Sequence, residues 1–152
     1  MSIEQRISDL GLSLPPVATP AGAYVPAVVS GNLVFTAGQI PLVDGQLMAT
    51  GKVGAEISPD YAKEIAARCA LNALAAVKSV IGDLDRVTRV VKVVGFVAST
   101  PDFTGQPGVL NGASELLGQV FGDAGKHARS AVGVASLPLD APVEVELVVE
   151  FK

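Results

Sequence analysis

The sequence contains no tryptophan, one cysteine and one histidine in 152 residues, and these shortages exclude whole classes of chemistry. With Cys69 alone, no intramolecular disulfide can form. Cys69 and His127 are too few soft ligands for a structural zinc site, which takes about four. No acidic cluster has the spacing of a calcium or magnesium loop. Aromatic residues make up 5%, too sparse for an evident base-stacking platform. Basic residues number 11 against 15 acidic, a net charge of −4, whereas a nucleic-acid partner calls for a basic excess. No apolar run approaches the roughly 18 residues of a membrane span. The opening residues Met1-Ser2-Ile3-Glu4-Gln5-Arg6 hold no apolar signal stretch. A cytoplasmic protein without metal or membrane is the expectation.

Hydrophobic residues reach 49% and charged residues only 17%, against about 25% charged in ordinary soluble domains. Such a balance excludes disorder. At this length one domain is expected, able to bury about two-thirds of the surface that its unfolded chain exposes. The apolar excess has to be covered by a core or by other copies of the chain.

Ser2 caps a short helix over residues 2–11, and the run Leu14-Pro15-Pro16-Val17-Ala18-Thr19-Pro20 forms an extended arm. The segment 1–19 therefore reads as an N-terminal extension to a single domain over 20–152. Tyr24 to Val29 and Leu33 to Thr36 are predicted strands joined by a tight turn at Ser30-Gly31-Asn32. Residues 42–57 read as a loop with room for a small hairpin at Asp44-Gly45. Within it, Gly45 to Lys52 fails as a phosphate loop, because the spacing is too long and Val53 replaces the Ser/Thr.

Ser58-Pro59 starts a helix that runs to Ile81 and stops at Gly82, with Glu64 and Arg68 at pairing distance on its narrow polar side. Valine-rich Arg86 to Ser99 has the composition of a central strand covered on both faces. Pro107 to Phe121 is a second long helix, and Arg129 to Ala135 a strand. In Val143 to Phe151, Glu144, Glu146 and Glu150 alternate with apolar residues, the pattern of an edge strand with one solvated face. The order β-β-α-β-α-β-β makes an α+β fold, a mixed sheet with two helices on one face.

Familiar catalytic kits are missing: there is no G-x-S-x-G elbow, no H-E-x-x-H and no dinucleotide fingerprint. His127 reads as an exposed loop histidine and Cys69 as a buried, inert thiol. Arg129 opens a strand of small apolar residues, where its planar fork could take a carboxylate or simply remain solvated.

Tyr24-Val25, Thr36-Ala37-Gly38-Gln39-Ile40-Pro41, His127-Ala128-Arg129-Ser130, Leu137-Pro138 and Glu144-Val145-Glu146 occur in an order that resembles the YjgF/RidA family, also called the endoribonuclease L-PSP family. That resemblance implies a chorismate-mutase-like fold, a homotrimer with clefts between subunits, and a site without metal or organic cofactor. It implies that Arg129 grips a substrate carboxylate and that Glu144 orients or activates water. Tyr24 would line the cleft, Asn111 would lie on its rim, and Gly38 and Gln39 would supply backbone contacts. The implied reaction is hydrolysis of a small 2-imino or enamine acid to a 2-keto acid and ammonia. Two departures bear on it: Ala37 stands where many imine deaminases have Ser, and Ala131 where they often have Cys. Both remove polar groups, which favours the alternative of a trimer that binds small carboxylates without turnover. The ribonuclease of the family's older name is opposed by the acidic charge and the sparse aromatics.

Overall fold

Three helices organise the chain: α1 (Ile3–Asp9), α2 (Pro59–Ile81) and α3 (Gln106–Phe121). In the computed structural model, which describes residues 1–152, the hydroxyls of Ser2 and Ser58 accept from the backbone N–H groups of Gln5 and Tyr61. Each satisfies a donor that the first helical turn would leave free. Pro59 and Pro107 sit in first turns, where no N–H is needed. Helix α2 closes at Gly82, whose φ of 85° is open to glycine at little cost.

The strands are β1 (Ala27–Ser30), β2 (Leu33–Thr36), β3 (Leu42–Val43), β4 (Gln46–Leu47), β5 (Val87–Ala98), β6 (Ala128–Val134) and β7 (Val143–Phe151). Five form one sheet in the order β1-β2-β7-β5-β6, antiparallel except for the β5–β6 pair. That parallel pair needs a crossover, which α3 supplies. Strands β3 and β4 form the small hairpin, with Asp44 and Gly45 at φ 51° and 81° as its turn requires. The result is the α+β, mixed-sheet arrangement with two long helices on one sheet face.

Val34, Val93, Val97, Val145 and Leu147 face those helices and join Leu74, Leu110 and Leu117 in a core of 31 buried residues. Helix α1 belongs to that core through Ile7, and Arg6 ties it to α3 by donating to the Val120 carbonyl at 3.1 Å. Cys69 is fully buried against the sheet, and its thiol contacts the Val143 carbonyl at 3.6 Å. Burial, and behind it the negative charge of Glu144, pushes this thiol well above its ordinary range. A thiol-specific reagent should therefore leave Cys69 untouched in the native protein and label it on unfolding; rapid native labelling would contradict the packing.

Four expectations need correction. The first strand begins at Ala27 rather than Tyr24, because Pro26 has no N–H to give a ladder, so Tyr24 lies in a bend. Strand β7 is not an edge: it lies between β2 and β5, and alternation alone cannot tell a central antiparallel strand from a border one. Strand β5 is interior, but within the chain only its helix-facing side is covered; Val94 and Phe96 lie half-buried on the other. Arg68 does not pair with Glu64 and instead donates from Nε to the Leu42 carbonyl at 3.0 Å.

Candidate functional site

Arg129 stands beside Val93 in the β5–β6 register, so its side chain rises from the helix-facing side of the sheet at an uncapped edge and meets α3. Nη1 donates to Asn111 Oδ1 at 2.9 Å and to Ser114 Oγ at 3.1 Å; Nη2 donates to the Pro107 carbonyl at 3.3 Å. These bonds hold the guanidinium plane fixed. They leave the Nε–H and one Nη2 proton for an external acceptor.

The network continues to His127, which is partly buried and bonded through both ring nitrogens, not a free loop histidine. Nδ1 lies 2.6 Å from the Gly125 carbonyl oxygen, which can only accept, so Nδ1 carries the proton. In the neutral ring Nε2 accepts from Ser114 Oγ at 2.9 Å, and the Ser114 lone pairs are left to accept from Arg129. Ser114, Lys126, His127 and Arg129 line an open groove of about 380 Å³. Sequence reasoning missed Ser114 and Lys126. The available signal for Ser114 was its i,i+3 spacing from Asn111, which puts both on one helix face.

Glu144 occupies the opposite face of the sheet, across from Phe96. Together with Tyr24, Val28, Phe35, Ala37 and Gly38 it lines a second open groove, of about 680 Å³. Gly38 is a close approach: a Cβ there would overlap Glu144 Oε1 and lie 2.7 Å from Cδ. Gly38→Ala should therefore swing the Glu144 carboxylate aside while sparing the fold, since the obstructed group is a flexible side-chain end. Unchanged function with an intact fold would remove Glu144 from the site. Gln39 is buried, and its backbone N–H and C=O are both committed to Val145, at 2.8 and 3.0 Å. Its role in the chain is to anchor the Gly38 turn to β7.

Glu144 is half-buried, and desolvation, then the charge of Glu146, raises its pKa above the ordinary carboxylate value. The folded chain thus holds this proton more tightly than the unfolded chain. Stability from that source is full below the ordinary value of about 4.3 and is lost as pH rises through the raised value. Glu144→Gln should accordingly raise thermal stability at neutral pH and leave it nearly unchanged at pH about 4. Equal melting shifts at both pH values would contradict the cause given.

The structure thus gathers the expected residues into two groups, Arg129 with Asn111 and Glu144 with Tyr24 and Gly38. Strands β6 and β7 flank β5, so their backbones are two strand spacings apart, roughly 10 Å. With the side chains on opposite faces, Arg129 and Glu144 of one chain cannot contact the same small molecule. No three His, Cys, Asp or Glu side chains come together in a metal-binding group. No helix is long and apolar enough to cross a membrane.

The family model described as "YjgF/chorismate mutase-like, putative endoribonuclease" matches residues 4–151. The chain belongs to the YjgF family. Within it, the chain is 45% identical over 150 residues to the Trypanosoma cruzi protein TCP17, covering 98% of this chain and 94% of TCP17. It is 34% identical over 139 residues to the 2-iminobutanoate/2-iminopropanoate deaminase of Dermatophagoides farinae, covering 91% and 93%. The crystal structure of Atu1372 from Agrobacterium tumefaciens, a protein of unknown function, superposes with a TM-score of 0.93 at 45% identity, covering 99% of this chain and 94% of that one. The sheet order and helix placement described above are those of the chorismate-mutase-like YjgF fold.

Proposed function

We propose that this YjgF-family chain hydrolyses small 2-imino or enamine acids to 2-keto acids and ammonia, in clefts between the subunits of a homotrimer. The observation that carries the reading is Arg129: a guanidinium fixed by three hydrogen bonds, with two N–H groups still free at the mouth of a groove. Those donors match a planar carboxylate. Holding it would orient the neighbouring C2 for attack. Water adds to C2 of the protonated imine, giving a carbinolamine; its hydroxyl proton leaves as the C–N bond breaks, and ammonia departs. Glu144, with its raised affinity for a proton, can take one from the attacking water and return it to the leaving nitrogen. No step requires metal or organic cofactor, so turnover should survive EDTA unchanged.

Because Arg129 and Glu144 face away from each other, the reading places Glu144, Tyr24 and Gly38 of one copy opposite Arg129 and Asn111 of the next. The outer sheet face supports such an assembly: Val28, Phe35 and Val132 are 52%, 45% and 44% exposed there, and no helix of the chain covers them. Sedimentation equilibrium should give a trimer, and Phe35→Glu should dissociate it. A wild-type monomer at micromolar concentration would overturn the shared cleft.

A second reading, a trimer that binds small keto or amino acids without turnover, is favoured by Ala37 in the Glu144 groove and by Ala131 beyond Arg129. Freshly generated 2-iminopropanoate separates the two. Faster ammonia release than in buffer supports the hydrolase; binding with no acceleration supports the carrier.

A further inference from the structure

Arg68 stands four residues after Glu64 on α2, yet it takes part in none of the chain's ion pairs. Its Nε donates to the Leu42 carbonyl, which fixes the guanidinium against the β3–β4 hairpin and leaves both Nη groups without a partner in the chain. One turn further on, Asn72 is only 5% exposed and donates through Nδ2 to the Ile40 and Leu42 carbonyls, both at 3.1 Å. Both bonds use the nitrogen, so the atom that Asn72 turns to its surroundings is the acceptor Oδ1.

These two side chains form the floor of a cavity of about 470 Å³, within the ~300–1,000 Å³ usual for small-molecule sites. The proline-rich arm, with Pro15, Pro16 and Val17, is its roof, and Asp44 of the hairpin turn stands at its lip without an ion pair. The cavity shares no lining residue with the Arg129 groove or the Glu144 groove.

Three chemistries meet there. The Arg68 Nη groups call for a carboxylate. Asn72 Oδ1 and the Asp44 carboxylate call for a donor, best a cationic one. The arm offers an apolar wall. A plain carboxylate would face Asp44 unpaired, and a plain amine would lie beside Arg68, so neither complements the whole site. We propose that the arm-roofed cavity binds a small aliphatic α-amino acid as its zwitterion, carboxylate on Arg68, ammonium toward Asn72 and Asp44, side chain against the arm. This site is distinct from the Arg129 and Glu144 grooves; an adjoining cavity that shares Ala18, Thr19, Leu42 and Gly45 with it reaches Tyr24, Gly38 and Gln39, so an Arg129→Ala background separates the two sites.

Titration calorimetry on the full chain tests it with L-valine, isobutyrate and isobutylamine as probes. Valine should bind, and each one-charge analogue should bind at least about tenfold more weakly. Arg68→Met should lower valine affinity at least about tenfold, and Asp44→Asn several-fold. Both variants should fold, since Asn72 still holds the Leu42 carbonyl and asparagine tolerates the positive φ of the turn. In the Arg129→Ala background, which silences the candidate groove, valine binding should persist. Absence of valine binding up to about 10 mM would overturn the proposal. So would valine binding that ignores both Arg68→Met and Asp44→Asn, isobutyrate binding as tightly as valine, or binding abolished by Arg129→Ala.

Discussion

Arg129→Ala should reduce small-carboxylate binding or turnover by roughly 30-fold to several-thousand-fold while the protein stays folded and assembled. In the proposed intersubunit cleft, truncation would leave the ligand carboxylate shielded from water without its charged partner, a loss of about 2–5 kcal/mol. The stability cost should be one the fold can bear, since a domain has about 5–15 kcal/mol to lose. The bonds to Asn111, Ser114 and Pro107 lie at a partly exposed sheet edge, where each is worth about 1 kcal/mol or less. Arg129→Lys is the sharper variant. An ammonium retains the charge but cannot hold Asn111, Ser114 and the Pro107 carbonyl together while presenting two parallel donors outward. It should recover little of the lost function. Parallel measurements of melting temperature, sedimentation and imine hydrolysis decide the matter. Binding within a few-fold of wild type in a folded Arg129→Ala trimer would mean that the ligand sits elsewhere.

Local chemistry made the helices legible. Ser2, Ser58, Pro59 and Gly82 act within a few residues of themselves, and the structure puts them at the helix ends that their residue types imply. The alternation in Val143 to Phe151 likewise gave the facing of Glu144 correctly. It could not give the neighbours of β7, because period-2 patterning describes one strand and sheet order depends on pairings that span the chain. The proton order from Gly125 through His127 and Ser114 to Arg129 was invisible for a related reason. Ser114 lies on α3, His127 follows a 3₁₀ turn and Arg129 is on β6, and only their packing joins the three. The separation of Arg129 from Glu144 also needed the register of both strands around β5. Tyr24 shows the converse: a β-prone residue kept out of the ladder by a proline two positions on.

Gly112→Ala should be the most damaging conservative change to the fold, lowering the melting temperature by roughly 4–8 °C. A Cβ at Gly112 would overlap the Lys63 carbonyl oxygen and lie 2.8 Å from the Lys63 carbonyl carbon, both of them α2 backbone. No rotamer change relieves that contact, so α2 and α3 must separate. Two effects compete, since alanine gains about 1 kcal/mol over glycine in helix propensity. Overpacking costs about 1–3 kcal/mol, and a rigid backbone obstruction belongs at the upper end of that range. The cost therefore wins. The damage should also reach the candidate site, because Asn111 precedes Gly112, Ser114 follows two residues later, and both hold Arg129. A shift of α3 by about 1 Å would loosen both bonds and lower carboxylate affinity even where the protein remains folded. Gly108→Ala supplies the control on the same helix: nothing lies within 4 Å of its would-be Cβ, so propensity alone should act and the melting temperature should rise slightly. If Gly112→Ala stabilised the protein as Gly108→Ala is expected to, the close crossing of α2 and α3 described here would be wrong.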